Sequence, residues 1–508
     1  MPHPALARGF AGSIVALMLA HAVSVGAAPA PPPAPSAPAN CRGSTPLIWI
    51  TQTTAAGDVT SQNALPACTT PGAPNATITL DPTQRQQPII GFGAALTGSS
   101  AWLLQARLDA RGRRDVLRRL FAPPPLGIGL SLMRLPIGST DLSRGRYSLA
   151  PDPPPAGQPP TLDLSPMQDN TLPVLKDIVA INPDLRIIAS PWSAPAWMKT
   201  NHSLIGGRLQ PEQAQHFAEY LVQYLKQMQA LDIPIYGITL QNEPNVKTAS
   251  YPGMLMGADQ GAYIIGRFLG PMVAREHLEV DIFALDDNWL WLRHVTQMLD
   301  DRTAARYIKG VAWHCYGGHA AVQDVIHRQY PSMVQVLTEC SDGDWWPNNH
   351  ETIAGFVQEV FITPLRHWDS GVILWGLALD PQRGPHNGGC SVCTPVVTVD
   401  GATKSATFTR DYYALAHFSE FVPPGSHRIA SNDAGDGLTN VAFAGPGGRA
   451  LTVVIANRNT DSRLVKVVAP GQATLVELPA KSVATVVFGG PQKHAEILQG
   501  AQPVGGPR

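Results

Sequence analysis

Neither sign of charge is in excess in this chain of 508 residues: 37 Lys and Arg stand against 38 Asp and Glu, a net charge of −1. Nothing in that balance points to nucleic acid or a strongly anionic surface as the main partner. Charged residues of both signs make up only 15% of the chain, which suits an uncharged ligand. No GxSxG or HExxH occurs, so neither a serine esterase nor a zinc peptidase is indicated. No GxGxxG or P-loop follows an apolar run, which argues against an open nucleotide-binding sheet. Past the N-terminus no apolar run has the length of a bilayer, so no stable membrane insertion is expected. Repeats at solenoid periods are absent as well.

Cysteine is scarce. Six residues fit an exported protein without identifying their pairs. Cys41 and Cys68 flank the first β-rich segment and are placed to staple it. Cys390-Ser391-Val392-Cys393 is a lone CxxC, whereas a zinc site usually needs a second such pair. A redox centre is expected where a strand meets a helix. Set among Gly388, Gly389 and Pro395, this one reads as a small loop disulfide. Cys315 and Cys340 follow two residues of interest, His314 and Glu339, and the sequence leaves open whether they are bonded.

The first 28 residues read as an export signal: Arg8 supplies the charge, Phe10 to Leu19 the apolar run, and Val25-Gly26-Ala27-Ala28 the small residues for cleavage. A secreted or periplasmic location follows. The Pro/Ala-rich residues 29–40 cannot pack as a helix and read as a semi-extended spacer.

From residue 89 to 421, β-rich runs alternate with helical stretches. Eight strands are predicted: Ile89–Ala94, Ser131–Leu135, Leu185–Ser190, Ile235–Leu240, Val280–Leu285, Gly310–His314, Val334–Thr338 and Val372–Trp375. Between them lie amphipathic segments such as Glu212–Leu231, with Ala214, Phe217, Leu221, Leu225 and Met228 at helical spacing. The fold class is therefore α/β, a parallel (β/α)8 TIM barrel. Residues 422–490 change character, with short strands divided by Gly, Pro, Asn and Asp turns, and read as a β-sandwich. The β segment 41–88 is expected to join that side domain, and residues 491–508 to form a disordered tail.

Two carboxylates close strands of the predicted barrel. Asn242-Glu243-Pro244 ends one, and Glu339 ends Val334-Gln335-Val336-Leu337-Thr338. Reactive groups of such barrels gather at the C-terminal strand ends. A carboxylate pair there is what glycoside hydrolysis needs: one protonates the leaving oxygen, and the other attacks the anomeric carbon or activates water. Glu243 is the candidate acid/base and Glu339 the candidate nucleophile. An ionised Glu339 needs donors, for which His314, Tyr316 and Trp375 are the strand-end candidates. Asn242 is placed to bond a sugar 2-hydroxyl, Asp141 to accept from other hydroxyls, and Trp192 and Trp375 to face a pyranose.

Several segments together resemble glycoside hydrolase family 30. They are Gly91-Phe92-Gly93-Ala94-Ala95-Leu96-Thr97, Arg134-Leu135-Pro136-Ile137-Gly138-Ser139-Thr140-Asp141 and Ala189-Ser190-Pro191-Trp192-Ser193-Ala194-Pro195. Gln241-Asn242-Glu243-Pro244, Trp313-His314-Cys315-Tyr316, Leu337-Thr338-Glu339-Cys340 and Trp375-Gly376-Leu377-Ala378-Leu379-Asp380 continue it. The match runs in family order from about Ile89 to Phe488. It implies a barrel with an attached β-sandwich, retention of configuration, Glu243 as acid/base and Glu339 as nucleophile. Asp141, Trp192, Asn242, His314, Tyr316 and Trp375 match positions lining the −1 subsite, and Tyr251 matches another less firmly spaced one. No metal or organic cofactor is implied.

The resemblance implies a carbohydrate or glycolipid substrate, since such members include glucosylceramidases, endo-β-1,6-glucanases, β-1,6-galactanases and β-xylosidases. The loop from Gly388 to Pro395 departs from the animal lysosomal glucosylceramidase pattern, and its CxxC resembles microbial branches that act on polysaccharides. A secreted β-glucoside hydrolase is the expectation. The alternatives are a galactanase or xylosidase of the same family, or a carbohydrate-binding protein on an inactive barrel. Such binding proteins commonly lack one carboxylate, and here both are present.

Overall fold

The computed structural model describes residues 46–53, 59–64, 73–344 and 352–489. The expected export signal, the proline-rich spacer, Cys41, Cys68 and the tail lie outside these residues. Eight parallel strands close into a barrel: β1 Gly91–Ala95, β2 Leu132–Ile137, β3 Arg186–Pro191, β4 Gly237–Thr239, β5 Asp281–Asn288, β6 Ile308–His314, β7 Val334–Cys340 and β8 Asp369–Leu374. Pairing of β8 with β1 completes the ring. Such strands must be apolar on both faces, because helices cover the outside and side chains fill the inside. Accordingly β1, β2, β4 and β8 are buried at every position. The helix expected from Glu212 runs from Ala214 to Ala230 behind one turn of 3-10 helix, and it buries Phe217, Leu221, Leu225 and Met228.

The barrel interior changes from apolar to polar within one pleat. Ile90, Leu132, Ile188, Phe283, Ala312, Val336 and Ile373 form its apolar layer. Phe283 fits only because β4 and β6 carry glycine beside its ring: a Cβ at Gly237 would lie 2.6 Å from it, and one at Gly310 2.5 Å. Two residues further along the same faces stand Arg134, Ser190, His314, Thr338 and Trp375. This polar layer makes the C-terminal end of the barrel the reactive one.

A sheet of nine strands packs beside the barrel. Six come from the region after residue 426: His427–Ser431, Leu438–Ala444, Leu451–Asn457, Arg463–Ala469, Gln472–Leu478 and Ser482–Phe488. The remaining three come from before the barrel. Leu47–Thr53 pairs with Ser482–Phe488 and carries Val59–Ala64 on its other edge, and Ala76–Pro88 lies between Arg463–Ala469 and His427–Ser431. Alternation lets one strand serve two cores. Ala442 and Ala444 join Ile48, Ile50 and Val486 in the sandwich, while Val441 and Phe443 join the barrel's core. At the seam His417, on helix Arg410–Ser419, bonds Thr485 Oγ1 at 2.7 Å and Thr51 Oγ1 at 2.8 Å. Burial pulls its pKa down to about 3, so the ring is neutral. A small sheet not expected from the sequence, Ala378–Leu379, Val397–Asp400 and Ser405–Phe408, follows β8.

Candidate active site

Strand β5 breaks regular alternation at the point that organises the site. Counting from Phe283, residue 285 should turn inward. Instead Leu285 and Asp286 have φ of 72° and 69°, and the register with β6 shifts between Leu285 and Asp287. Leu285 packs in the core between barrel and helices, and Asp286 points into the barrel. A bulge re-aims a side chain in this way. Left-handed backbone at two non-glycine residues costs about 1–3 kcal/mol each and persists only where surrounding contacts hold it. Here the contacts are many. Asp286 Oδ2 accepts from Arg134 Nη2 at 2.6 Å, Ser190 Oγ at 2.6 Å and Thr239 Oγ1 at 2.7 Å. Its Oδ1 accepts from Thr338 Oγ1 at 2.7 Å and His314 Nε2 at 3.1 Å. Burial alone would raise this carboxyl, but the Arg134 and His314 charges outweigh it and hold it well below the usual range.

Around that hub the two glutamates meet. Pairing of β7 is irregular on both sides between Leu337 and Cys340, so Thr338 and its neighbour Glu339 both reach the site. Glu339 accepts from Arg134 Nη1, and from the Tyr316 hydroxyl at 3.1 Å. Burial pushes its pKa up; the His314 and Arg134 charges oppose this and the Glu243 charge adds to it. Glu243 sits just past β4 with φ of 45°, its N–H donating to the Asp286 carbonyl at 2.8 Å. Its Oε1 lies 3.2 Å from His314 Nδ1. One oxygen of Glu243, one of Glu339 and a ring nitrogen of His314 lie within 4.8 Å of one another. Burial would lower the His314 pKa, yet Glu339, Asp286 and Glu243 raise it to about 10. A ring protonated on both nitrogens offers no lone pair, so this trio is a poor metal site.

The expected binding residues surround this centre. Asn242 Oδ1 accepts from Arg134 at 2.6 Å, which leaves its amide nitrogen to offer a ligand. Trp192 and Trp375 stack with ring centroids 4.9 Å apart, and the Arg134 guanidinium lies 4.6 Å from the Trp192 centroid. Each indole thus packs on its neighbour as well as bordering the site. Tyr251 is half-buried against the same aromatic group, where burial and then the Glu243 charge raise its hydroxyl pKa. Lys199, fully buried, ties the loop after β3 to the one bearing Tyr251 through Ser193 Oγ and the Gly253 carbonyl, both at 2.8 Å.

Asp141 is covered by the CxxC loop. Burial, and then the Glu339 charge, raise its pKa to about 7. The N–H of Cys390 donates to its Oδ2 at 3.4 Å, and the N–H of Asn387 to its carbonyl at 2.6 Å. Gly389 has φ of 68°, and a Cβ there would lie 2.4 Å from the Asp141 Cβ, so this position needs glycine. Cys390 and Cys393 are disulfide-bonded, as read from the sequence. Cys315 and Cys340, left open there, are bonded as well, with Cα atoms 5.3 Å apart.

All nine residues named from the sequence therefore converge on one end of the barrel. Two central ones were missed as site residues, Arg134 and Asp286. The signal for Arg134 was a lone charge inside an otherwise apolar strand, since arginine is almost never fully buried unless paired. Asp286 follows an apolar run as Glu243 does, and the same strand-end reasoning applies to it.

The family model of the glycosyl hydrolase family 30 TIM-barrel domain matches residues 89–422, and that of the family 30 beta sandwich domain matches 425–486. An endo-1,6-beta-D-glucanase of Aspergillus fumigatus is 32% identical over 443 residues, 81% of this chain and 87% of that one. The lysosomal acid glucosylceramidase of Mus musculus is 31% identical over 408 residues, 76% of this chain and 78% of that one. Among solved structures, an endo-beta1,6-glucanase superposes with a TM-score of 0.80 at 30% identity, covering 88% of this chain and 99% of that one.

Proposed function

The chain belongs to glycosyl hydrolase family 30, and on that premise we propose that it hydrolyses β-1,6-glucan by double displacement with retention of configuration. The observation that carries the mechanism is the approach of a Glu243 oxygen and a Glu339 oxygen to within 4.8 Å. Retaining enzymes hold their carboxyl groups about 5–5.5 Å apart, whereas inverting ones leave about 6.5–9.5 Å for a water.

Glu339 is the nucleophile, because both donors that reach it, Arg134 and Tyr316, favour its ionised form. We assign to Glu243 the delivery of the proton to the leaving oxygen, the role that the Asn242-Glu243-Pro244 motif implies. A Glu339 oxygen attacks the anomeric carbon as the glycosidic C–O bond breaks, and the Glu243 proton goes to the leaving oxygen. The resulting glycosyl ester carries no charge on Glu339, so Glu243 is free to take a proton from water. That water attacks the same carbon, the ester bond breaks, and both carboxyl groups return to their starting states. Asn242 bonds the sugar 2-hydroxyl, Asp141 accepts from other hydroxyls, and the Trp192, Tyr251 and Trp375 rings border the sugar. His314 remains charged throughout, held by Asp286.

The choice of β-1,6-glucan follows the endo-1,6-beta-glucanase relatives in sequence and structure. Export is proposed from the N-terminal sequence; among the described residues no helix is long and apolar enough to cross a membrane. Glucosylceramide is the second reading, favoured by the mouse relative. The test is incubation of the purified protein with each substrate, with early products followed by proton NMR. Gluco-oligosaccharides released first as β-anomers are expected from the glucan. Release of α-anomers would overturn retention, and glucose from the lipid alone would replace the substrate.

A further inference from the structure

Strand β7 holds Glu339 beside an irregularity in its hydrogen-bonded ladder. Its register with β6 shifts between Leu337 and Glu339, and that with β8 between Leu337 and Cys340. Regular pairing therefore breaks after Leu337 on both sides, resuming at Glu339 against β6 and only at Cys340 against β8. A covalent tie begins directly after Glu339, from Cys340 to Cys315, and Cys315 lies between His314 and Tyr316. Both partners of the disulfide are buried, Cys340 fully and Cys315 at 7% exposure. It joins the residues flanking three groups of the site: Glu339, the His314 that contacts Glu243, and the Tyr316 that donates to Glu339.

We propose that the Cys315–Cys340 disulfide is a positioning element of the active site, setting Glu339 against Tyr316 and His314. The inference rests on Glu339 being the nucleophile. Without the bond, the bulged end of β7 can shift relative to β6, and the attacking oxygen leaves its line to the anomeric carbon. A displacement of about 1 Å costs on the order of 10²-fold in rate. Ground-state sugar binding, carried by Asp141, Asn242 and the aromatic rings, depends much less on this bond.

The test is the full-length Cys315→Ala/Cys340→Ala protein with an aryl β-glucoside, assayed well below its melting temperature. The kcat is expected to fall about 10- to 100-fold while KM changes less than about threefold. Labelling by a 2-deoxy-2-fluoro glucoside with a good leaving group should slow by a similar factor at the same residue. Label on a residue other than Glu339 in the wild type sinks the parent reading. Label on Glu339, with kcat and labelling rate unchanged in the double variant, sinks this one. Should the variant not fold, the Cys390→Ser/Cys393→Ser protein is treated with a graded series of reductant concentrations. Peptide mapping then identifies samples that are open at 315 and 340 yet folded by circular dichroism. These must show the same loss of kcat and recover on reoxidation; undiminished turnover overturns the proposal.

Discussion

Replacing Asp286 by Asn keeps the shape of the side chain and removes both its charge and its symmetry. Arg134, Ser190 and Thr239 donate to one oxygen of Asp286, and Thr338 and His314 to the other. An amide accepts on its oxygen only, so either flip sets an NH2 group against donors. Breaking a buried ion pair by removing one partner costs about 3–5 kcal/mol, and Arg134 and Asp286 are both fully buried. A second part of the loss depends on pH. The His314 pKa is raised from 6.5 to about 10, partly by Asp286. A raised pKa stabilises the folded state fully below the unfolded value, and that contribution is lost as pH climbs to the folded value. In Asp286→Asn the folded pKa of His314 is lower, so its contribution is smaller and is lost sooner. The gap in urea midpoint between wild type and variant should therefore be widest near pH 6.5 and shrink toward pH 10. The remaining charges facing the ring, on Glu243 and Glu339, are common to both proteins. Equal urea midpoints near pH 6.5, or a gap that grows toward pH 10, would refute the view of Asp286 as hub.

The other expectations concern single positions. Glu243→Ala should turn over only substrates with good leaving groups and be accelerated by azide, giving a β-glycosyl azide; an α-azide would reverse the two glutamate roles. Gly389→Ala puts a methyl 2.4 Å from the Asp141 Cβ at a φ of 68°, so the loop should lift and KM rise; wild-type KM would contradict this. His417→Ala leaves the Thr51 and Thr485 hydroxyls without their shared partner. About 2–4 kcal/mol of stability should be lost with kcat intact, and a changed kcat at unchanged melting temperature would contradict a purely structural seam.

Short, nearly continuous apolar runs separated by amphipathic helices were enough to place the eight strands, because strands buried on both faces need that composition. Glu243 and Glu339 were legible for the same reason, as polar residues at the ends of such runs. Asp286 stands at the end of such a run too, but its inward orientation depends on two left-handed residues in β5 that simple alternation does not foresee. Nor could alternation foresee Thr338 and Glu339 reaching one site together, since the bulge in β7 allows it. The state of Cys315 and Cys340 required knowing that β6 and β7 are neighbours in register, which spacing along the chain does not encode.

The side sheet has a consequence for how the molecule is made. Leu47–Thr53 finds its partner strand, Ser482–Phe488, only after more than four hundred further residues have been synthesised. Ala76–Pro88 likewise waits for His427–Ser431 and Arg463–Ala469. Until then these early strands present unpaired edges, and the barrel lacks its cover of Val441, Phe443 and Val454. Contacts of such long sequence separation are slow to form. Barrel and sandwich thus mature together at the end of synthesis, and a fragment ending at the barrel boundary should leave both an open edge and a bare apolar flank.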